Sequence, residues 1–585
     1  MKSYMADFET ITNAEDCRVW AWGICDIPYD NAVFGNTIDS FVDYIKEKGG
    51  RFYFHNLKFD GSFILNYLLS NGYKWVSQKQ LAKNNTFTTM ISEDTKFYNI
   101  TIYFKVEENK QIKAEFYDSL KIINMPVAQI AKSFGMSTLK GEIDYNVYRG
   151  KEHILTEEEK EYIDGDIKIV ANALNFFFKQ GLKKMTQGGN ALYNYKQLIG
   201  GEKSFRRFFP QLDIAIDKDI RKAYRGGYTY LNPKFQGKLI KEKGFVIDYN
   251  SLYPSVMLTK LLPYSQPVFF DGQYQYDKYY PLYIQHLRAQ FKVKKGHIPT
   301  IQLKNNMSFV ANEYITDSGF EYPELYLTNV DLCLFFEHYD VYNVEFINGW
   351  KFRAQKGMFD KYIKKWSKVK VESKLQGNKG MTLIAKLLLN SLYGKFGTSP
   401  KGKSKMPVLE NGILKFVNLE EEERTPIYIP CACFITAWAR NETIRCAQKV
   451  HETGKYIYSD TDSIHAIGEI PDFIPLDNAK LCFWKHEFNI HYCKYLRQKC
   501  YVDYGTEPNS TKLERNIVVA GLPKTAKKTF TIKKFNIGSV YDGKLQPKQV
   551  KGGVVLKNTE FTIKDLTKNP KSGKIKLEKG EGAVI

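Results

Sequence analysis

Runs of apolar residues that end in short polar clusters are the main pattern along this chain. The run GFVIDYN is apolar up to Asp248 and predicts a buried strand, and SLYPSVM after it predicts a turn and the start of a helix. The runs KYIYS and SIHAIG flank Asp460 and Asp462, and this spacing predicts a hairpin with both acids at its tip. Because they are two residues apart, the two carboxylates would face the same side of a strand.

Two other segments have the apolar period of helices. In TEEEKEYIDGDIKIV, Tyr162 and Asp166 are four residues apart and therefore share one face. In MTLIAKLLLNSLYGKFG, a polar stripe follows one face and leucines occupy much of the remaining circumference. The stripe consists of Lys386, Asn390 and Tyr393, and the leucines expected to be buried are Leu383, Leu387, Leu388 and Leu392.

The composition indicates several domains and a polyanionic partner. A chain of 585 residues is too long for one hydrophobic core. Its 85 Lys and Arg residues exceed its 64 Asp and Glu residues, and the resulting charge of +21 favours binding to a phosphate backbone. A merely basic protein is the alternative, since net charge bears on partners rather than on fold. Some of the 40 Tyr and 39 Phe residues could stack on unpaired bases.

The sequence shows no zinc-binding cysteine pattern, secretory segment or membrane span. Nine cysteines are scattered along the chain, and Cys431 and Cys433 form a CxC pair without a second pair to complete a zinc site. The opening MKSYMADFET has no secretory apolar core, and no stretch reaches the eighteen or so apolar residues of a membrane span. We therefore expect a soluble intracellular protein.

Asp248, Asp460 and Asp462 suit phosphoryl transfer if folding brings their segments together. Two divalent cations about 3.5–4 Å apart need carboxylates to hold them, and Mg²⁺ takes one or two carboxylates together with substrate phosphates. A polar turn is the alternative interpretation of YSDTDS, since Asp and Ser are ordinary turn residues. Tyr253 follows at a spacing from which its ring could close the sugar side of a nucleotide pocket and exclude a 2′-hydroxyl.

A second set of acids lies in the first third of the chain. Asp7 and Glu9 alternate along the strand-like DFET and face one way, and Asp60 follows the strand-like RFYFHN. With Tyr162 and Asp166 they suit a two-metal hydrolysis site in which the tyrosine orients the attacking water. Taken singly, each acid has a simpler interpretation as a helix cap or a surface charge. Their order along the chain is the specific signal.

These segments resemble the motifs of a known enzyme family. DFET, HNLKFD and YxxxD are similar to the three exonuclease motifs of proofreading DNA polymerases, and YxGG, DxxSLYP, KxxxNSxYG, DTD and KxY are similar to family B polymerase motifs. The similarity covers roughly residues 4–564 and points to protein-primed family B DNA polymerases of small tailed bacteriophages, of the Bacillus podovirus type. It implies an α+β multidomain fold, with an RNase H-like 3′–5′ exonuclease domain and a right-hand palm, fingers and thumb.

For the exonuclease, the resemblance implies metal ligation by Asp7, Glu9 and Asp166, support from Asp60, and an acid near the metals at Glu142. It also implies contacts to the single strand or the scissile phosphate, by Thr10, His55, Asn56, Phe59, Phe63, Ser119, Leu120, Lys140 and Tyr145.

For the polymerase, the resemblance implies metal ligation by Asp248 and Asp462, with Asp460 and Tyr249 beside them. The incoming nucleotide would be bound by Tyr253, Lys370, Lys386, Asn390 and Tyr393. DNA contacts are implied for Tyr224, Gly226, Gly227, Ser251, Thr436, Arg440, Lys499 and Tyr501. The expected cofactor is Mg²⁺ at two-metal sites in both domains, with Mn²⁺ as a substitute.

The resemblance also implies a division of the chain. The expected parts are an exonuclease domain (1–185), palm (186–299 and 428–529), a first insertion that contacts a terminal protein (300–356), fingers (357–396), a second insertion for processivity and strand displacement (397–427), a thumb (530–564) and a flexible basic tail (565–585). The segment 300–356 is expected to be self-contained. Surface loops of no special use are the alternative for both insertions.

The resulting hypothesis is a monomeric viral replicative DNA polymerase that starts from a terminal protein and displaces the nontemplate strand unaided. Its expected partners are template-primer and single-stranded DNA, deoxynucleoside triphosphates and the terminal protein, in the cytoplasm of an infected bacterium and without a membrane. The alternatives are a nucleic-acid-primed polymerase that needs accessory factors and a noncatalytic DNA-binding or priming scaffold.

The match of GTSPKGKS to a phosphate-binding loop is attributed to chance, because strand-like sequence follows it.

Overall fold

The computed structural model describes residues 1–11, 13–107, 110–137, 141–145, 147–302, 314–523 and 526–564. Lys140, part of the first predicted insertion (303–313) and the predicted basic tail (565–585) lie outside these residues. None of the helices in the described ranges is both long enough and apolar enough to cross a membrane.

The N-terminal part is a mixed eight-stranded sheet with helices packed on it. Its strands are β1 (Ser3–Thr10), β2 (Val19–Asp26), β3 (Ala32–Gly35), β4 (Gly50–Phe54), β5 (Lys74–Trp75), β6 (Thr86–Ile91), β7 (Phe97–Glu107) and β8 (Lys110–Asp118). Its helices are α1 (Ile38–Lys48), α2 (Leu57–Ser70), α3 (Val127–Phe134) and α4 (Glu157–Lys179). The spatial order is β3-β2-β1-β4-β8-β7-β6-β5. The central strands β1, β4 and β8 run parallel, so their carboxyl ends meet at one edge.

The remaining helices are α5 (Gln187–Leu198), α6 (Gly201–Phe208), α7 (Ile214–Arg221), α8 (Leu252–Thr259), α9 (Asn329–His338), α10 (Asp360–Leu375), α11 (Lys379–Phe396), α12 (Ile429–Glu452) and α13 (Ala526–Thr529). The remaining strands are β9 (Thr229–Leu231), β10 (Leu239–Ile240), β11 (Gly244–Tyr249), β12 (Leu262–Asp271), β13 (Leu282–Val293), β14 (Glu324–Thr328), β15 (Tyr339–Gln355), β16 (Lys401–Glu410), β17 (Ile413–Glu423), β18 (Tyr456–Asp460), β19 (Ser463–Ile467), β20 (Trp484–Arg497), β21 (Cys500–Thr506), β22 (Glu514–Val519), β23 (Val540–Val550) and β24 (Gly553–Thr562).

A second, antiparallel sheet carries the C-terminal acids. Its order is β22-β21-β20-β11-β19-β18-β9, with β10 paired to β20. β11 is almost wholly buried between β19 and β20, as its continuous apolar run predicts. The predicted hairpin is confirmed: β18 and β19 pair antiparallel, with Asp460 opposite Ser463. Asp462 lies in the turn rather than on a strand, so the predicted alternation of the two acids on one strand face is wrong.

The segment 300–356 is not self-contained, contrary to the expectation. Its strands β14 and β15 belong to a four-stranded sheet of order β12-β15-β13-β14, in which β12 and β13 precede the segment in sequence. The long strand β15 lies between β12 and β13 and hydrogen-bonds to both. An isolated β14 and β15 would leave unpaired backbone edges, which the earlier strands satisfy.

Two helices and a hairpin connect the sheets. α10 and α11 are consecutive and pack together, and of the four leucines predicted to be buried, Leu388 and Leu392 are buried while Leu383 and Leu387 are half-buried. α11 ends at Phe396 and is followed by the C-cap Gly397, and the segment after it enters strand β16 rather than a helix. The chance nature of the phosphate-loop match is therefore confirmed, since that loop opens a helix.

The tips of two C-terminal hairpins reach the N-terminal core. The side-chain amide of Asn66 on α2 donates to the carbonyl of Gly412 in the β16–β17 turn (3.3 Å), and Ile413 forms a bridge to Lys551 in the β23–β24 turn. At Gly553, a Cβ atom would lie 2.3 Å from the ring of Phe63. The two hairpins and α2 therefore meet at one point, where the ring of Phe63 leaves no space for a side chain at position 553.

Candidate active sites

The polymerase-motif carboxylates come together on the antiparallel sheet. Asp248 near the end of β11 is paired in register with Ser463 on β19 and with Lys485 on β20. The backbone N–H of Tyr249 donates to the carbonyl of Asp462 at 2.7 Å, which joins β11 to the acidic turn. Folding thus brings the two distant segments together, as the motifs predicted.

Asp248 and Asp462 are half-buried acids that lie close to other acids. Burial, followed by the charges of Asp462 and Glu487, raises the pKa of Asp248 to about 7. Burial and the nearby Asp460 raise the pKa of Asp462 to about 6. Two carboxylates in this setting ionise together only when positive charge is supplied. Within the described ranges no three His, Cys, Asp or Glu side chains are grouped to hold a metal alone, but Mg²⁺ needs only one or two carboxylates beside substrate phosphates.

Asp460 differs from these two because a cation already pairs with it. The ammonium of Lys499 lies 2.7 and 2.9 Å from its two carboxylate oxygens. The hydroxyls of Tyr458 and Thr229 donate to the same carboxylate at 3.3 and 3.4 Å. Lys499 is therefore the residue of the KxY motif that reaches the acidic cluster.

The predicted nucleotide residues lie on α8, α10 and α11. The rings of Tyr253 and Tyr393 are stacked, with centroids 3.8 Å apart and planes 20° apart. Lys386 and Asn390 are exposed on α11. Burial, together with the charge of Lys386, lowers the pKa of Lys370 on α10, so the two lysines are neighbours. Two lysines and a stacked pair of tyrosines therefore lie on three helices that pack together.

The exonuclease-motif acids also come together. Asp7 and Glu9 lie on β1 beside α4, and Asp60 on α2 is buried. Burial, reinforced by the charges of Asp7 and Glu9, raises the pKa of Asp60 well above its usual value. Asp166 on α4 is buried as well. Four acids from a strand and two helices thus share one low-dielectric site.

Tyr162 lies at the edge of this acid cluster. Its pKa is raised first by burial, and the charges of Glu9, Asp166 and Asp7 act in the same direction. Its hydroxyl is hydrogen-bonded to that of Tyr145 at 3.0 Å. Glu142 is exposed three residues before Tyr145. The phenol therefore stays protonated next to the acids and can donate a hydrogen bond there.

The residues predicted to hold a single strand surround the same cluster in different environments. His55 Nδ1 is 2.9 Å from Ser119 Oγ, and its Nε2 is 2.8 Å from the carbonyl of Met125. Asn56 is exposed in a left-handed conformation (φ 83°) before α2. Thr10 is buried at the end of β1, and Phe59 and Leu120 are half-buried. Phe63 is 1% exposed, and the contact with Gly553 places it in the interface with the β23–β24 hairpin.

Several residues predicted to contact DNA, and Tyr249 predicted to lie at the metal site, are inside the protein. Arg440 is buried on α12 and binds Asp331, and the hydroxyl of Thr436 donates to its own helix at the carbonyl of Ala432. Tyr501 is stacked on Tyr495 at 5.1 Å. Tyr249 is buried against Trp484, so it meets the acidic turn through its backbone N–H. Their predicted contacts with ligands stay predictions.

Two of the three small residues around the polymerase acids, Ser251 and Gly227, adopt tight geometries. Ser251 has φ 52° immediately before α8. A Cβ atom at Gly227 would lie 2.7 Å from Thr461 Cγ2, whereas one at Gly226 would meet nothing within 4 Å. The hydroxyl of Tyr224 lies against Gly397 at the end of α11.

Sequence reasoning missed Asp118. Its side chain accepts hydrogen bonds from the backbone N–H groups of Asn56 and Leu120, at 3.1 and 3.0 Å, and its charge contributes to the raised pKa of Asp60. The signal was present in YDSL, where the acid ends the predicted strand directly before Ser119.

Comparisons with known proteins show the family to which the chain belongs. Residues 42–472 match the family model described as DNA polymerase type B, organellar and viral. The DNA polymerase of Bacillus phage M2 is 46% identical over 580 residues, which cover 96% of this chain and 100% of that protein. The DNA polymerase of Streptococcus phage Cp-1 is 32% identical, with 96% and 98% covered.

Solved structures of a relative are similar over almost the whole fold. The structure of Phi29 DNA polymerase complexed with primer-template DNA and incoming nucleotide substrates is 44% identical, with a TM-score of 0.91 over 96% of this chain and 100% of that one. The structure of the same polymerase complexed with single-stranded DNA has a TM-score of 0.90 over the same shares.

Proposed function

The chain belongs to the organellar and viral type B DNA polymerases, and we propose that its two acidic clusters are the polymerase and 3′–5′ exonuclease centres. It is a DNA-directed DNA polymerase of the protein-primed phage type, as the order of motifs predicted. The observation that carries the assignment of the polymerase centre is the joining of Asp248 to Asp462 through the backbone of Tyr249.

In the polymerase centre, Asp248 and Asp462 are the proposed metal ligands. The family implies a divalent cation, and we propose Mg²⁺, with Mn²⁺ as a substitute; it would supply positive charge to the attacking oxygen and the α-phosphate. Lys370 and Lys386 would neutralise triphosphate charge, and Asn390 lies one turn after Lys386 on the same face of α11. Tyr253 and Tyr393 would close the sugar and base side of the pocket. The reaction is in-line attack of a primer hydroxyl with loss of pyrophosphate.

In the exonuclease centre, Asp7, Glu9 and Asp166 are the proposed metal ligands, and Asp60 supports them. The pKa of Asp60 is raised first by burial and then by the charges of Asp7 and Glu9, and this proximity of acids suits a centre that binds cations. Tyr162, held protonated, would orient the attacking water through its hydroxyl. Tyr145, His55, Asn56 and Phe59 border the cluster and would hold the frayed 3′ end.

The proposed partners follow from the relatives and from the hairpin contacts. Phi29 DNA polymerase has been solved with primer-template DNA, single-stranded DNA and incoming nucleotides, and we propose the same ligands for this chain. A terminal protein would supply the first hydroxyl and contact the segment 300–356. The contact of the 397–427 hairpin with α2 and with the β23–β24 turn supports its proposed role in enclosing DNA. We propose that the enzyme acts as a monomer in the cytoplasm of the infected host.

A primed single-stranded circle tests this function directly. With Mg²⁺, four deoxynucleotides and no accessory protein, the expected products are many times longer than the circle, because the polymerase displaces its own product strand. Products that stop at one circle would indicate dependence on helper proteins. Bound DNA without extension would indicate a noncatalytic scaffold. Asp248→Ala is the matched control, which is expected to abolish synthesis and keep degradation of single strands.

A further inference from the structure

The turn that carries the polymerase acids has a strained backbone. Thr461 lies between Asp460 and Asp462 with φ 64°, in the left-handed region. This conformation is costly for a β-branched residue, because its Cβ atom approaches the following carbonyl oxygen. Such a residue persists only when its surroundings determine the conformation. The contacts around Thr461 therefore decide where the two carboxylates point.

Two hydrogen bonds from different parts of the fold hold the peptide groups of Thr461. Its N–H donates to the carbonyl of Tyr228 at 2.7 Å. Its carbonyl accepts a hydrogen bond from the hydroxyl of Thr443 on α12, also at 2.7 Å. Thr443 is completely buried, and its other oxygen neighbour, the carbonyl of Ala439 in the same helix, is farther away at 3.3 Å. The shorter hydrogen bond is the one to the turn.

The side chain of Thr461 occupies the space beside Gly227, where any larger residue would place a side chain. A Cβ atom at Gly227 would lie 2.7 Å from Cγ2 and 2.8 Å from Oγ1 of Thr461, so only glycine fits there. The neighbouring backbone is itself fixed, because the guanidinium of Arg440 donates to the carbonyls of Arg225 and Gly226 at 3.0 and 2.8 Å. The backbone at Gly227 is therefore a fixed surface against which the turn packs.

We propose that Thr443 is a positioning residue of the polymerase centre, which fixes the Asp460–Asp462 turn through its hydrogen bond to the carbonyl of Thr461, and that Gly227 provides the space for that turn. Neither residue touches the reacting atoms in this arrangement. The inference deepens the proposed polymerase centre and rests on it. It also assigns Gly227 a role that differs from the predicted contact with DNA.

The first test compares Thr443→Val, which keeps the shape and removes the hydroxyl, with Thr443→Ser, which keeps the hydroxyl. We expect Thr443→Val to lower kcat for single-nucleotide incorporation on the order of tenfold or more, since small misplacements of reacting groups are costly. The KM for the nucleotide and the degradation of single strands should stay within about twofold. Thr443→Ser should restore most of kcat.

A second readout does not depend on catalysis. In metal-free protein, the amide hydrogens of residues 459–463 should exchange about tenfold faster in Thr443→Val than in the native chain, while those of β13, which lies in another sheet, keep their rate. Native kcat or native exchange in Thr443→Val would overturn the proposal. Equal loss of polymerase and exonuclease would also overturn it, because the hydroxyl would then serve the fold as a whole. Loss of synthesis in Asp248→Ala with an unaltered exonuclease separates this outcome from failure of the proposed function.

The role of Gly227 is tested by a double-mutant cycle. Gly227→Ala should lower kcat on the order of tenfold because its methyl group collides with Thr461. Thr461→Gly removes that side chain and also accepts the left-handed backbone. In the Thr461→Gly background, Gly227→Ala should therefore lower kcat by less than about twofold. An equal cost in both backgrounds, with weaker DNA binding, would overturn the steric role and favour direct contact with DNA.

Discussion

The buried ion pair between Arg440 and Asp331 offers a sharp test of how the polymerase part is held together. Arg440 Nε and Nη2 lie 3.0 and 2.7 Å from the two oxygens of Asp331, with side chains 3% and 9% exposed. Nη1 donates to two further carbonyls in the 225–226 segment. The pair therefore ties α12 to α9 and to the segment that supports the acidic turn.

Replacing Arg440 by Met would leave the Asp331 carboxylate buried without its main partner. Burial opposes ionisation of Asp331, but the charge and hydrogen bonds of Arg440 keep its pKa below the usual value. Removing one partner of a buried ion pair in this way lowers the free energy of unfolding by about 3–5 kcal/mol. We expect the lower end, about 3 kcal/mol, because Arg225 also acts on the charge of Asp331.

The same two helices provide a matched control. Arg445 on α12 pairs with Glu337 on α9 at 2.8 Å, but these side chains are 47% and 42% exposed. An exposed pair contributes about 0–1 kcal/mol, so Arg445→Met should change stability little. Urea unfolding of the full chain, followed by tryptophan fluorescence, compares the two variants under one condition. The double variant Arg440→Met/Asp331→Leu should recover part of the stability lost in Arg440→Met, because it no longer buries an unpaired carboxylate. Equal unfolding midpoints for Arg440→Met and Arg445→Met would refute the reasoning.

Three other predictions concern the acidic centres and the second insertion. Asp7→Ala/Glu9→Ala should reduce degradation of 5′-labelled single strands at least a hundredfold and leave primer extension intact; persistent degradation would contradict the assignment. The pKa of Asp248 in the folded, metal-free protein is raised to about 7. Between about pH 4 and pH 7 the folded protein therefore keeps a proton on this carboxyl group that the unfolded chain has lost. The free energy of unfolding should fall as the pH rises through this window. Asp248→Asn should then unfold at higher urea than the native chain at pH 8 without metal, and a lower midpoint would refute this. Deletion of residues 400–422 should shorten rolling-circle products without lowering single-nucleotide incorporation, and unchanged product length would exclude a role in processivity.

Sequence was sufficient for features that depend on local order. The hairpin with Asp460 at the end of its first strand, the strand that ends near Asp248, and the helix with Tyr162 and Asp166 follow from apolar period and spacing, and the structure has all three. Membership of the polymerase family also followed from the motifs, because acids at these spacings in this order are specific even when each acid alone is ambiguous.

Sequence was insufficient for features set by packing between distant segments. Arg440 and Phe63 have the residue types expected of DNA contacts, yet one is enclosed by α9 and the other by the β23–β24 turn. The sheet that takes in β14 and β15 needs β12 and β13, whose pairing depends on nonlocal register. The left-handed conformation of Thr461 could not be predicted from the sequence either, because it is imposed by Tyr228, Thr443 and the space at Gly227.

The three aspartates of the polymerase motifs show why residue type alone does not fix a role. Asp460 is paired with Lys499, whereas Asp248 and Asp462 have raised pKa values because they are partly buried near other acids. A cation that enters between Asp248 and Asp462 removes a repulsion, but at Asp460 it must compete with an ammonium group already 2.7 Å away. We therefore expect the free energy gained on binding a divalent ion to be largest at the Asp248–Asp462 pair. Charge environment, which only the fold creates, thus separates the two proposed metal ligands from a neighbouring aspartate with the same sequence signal.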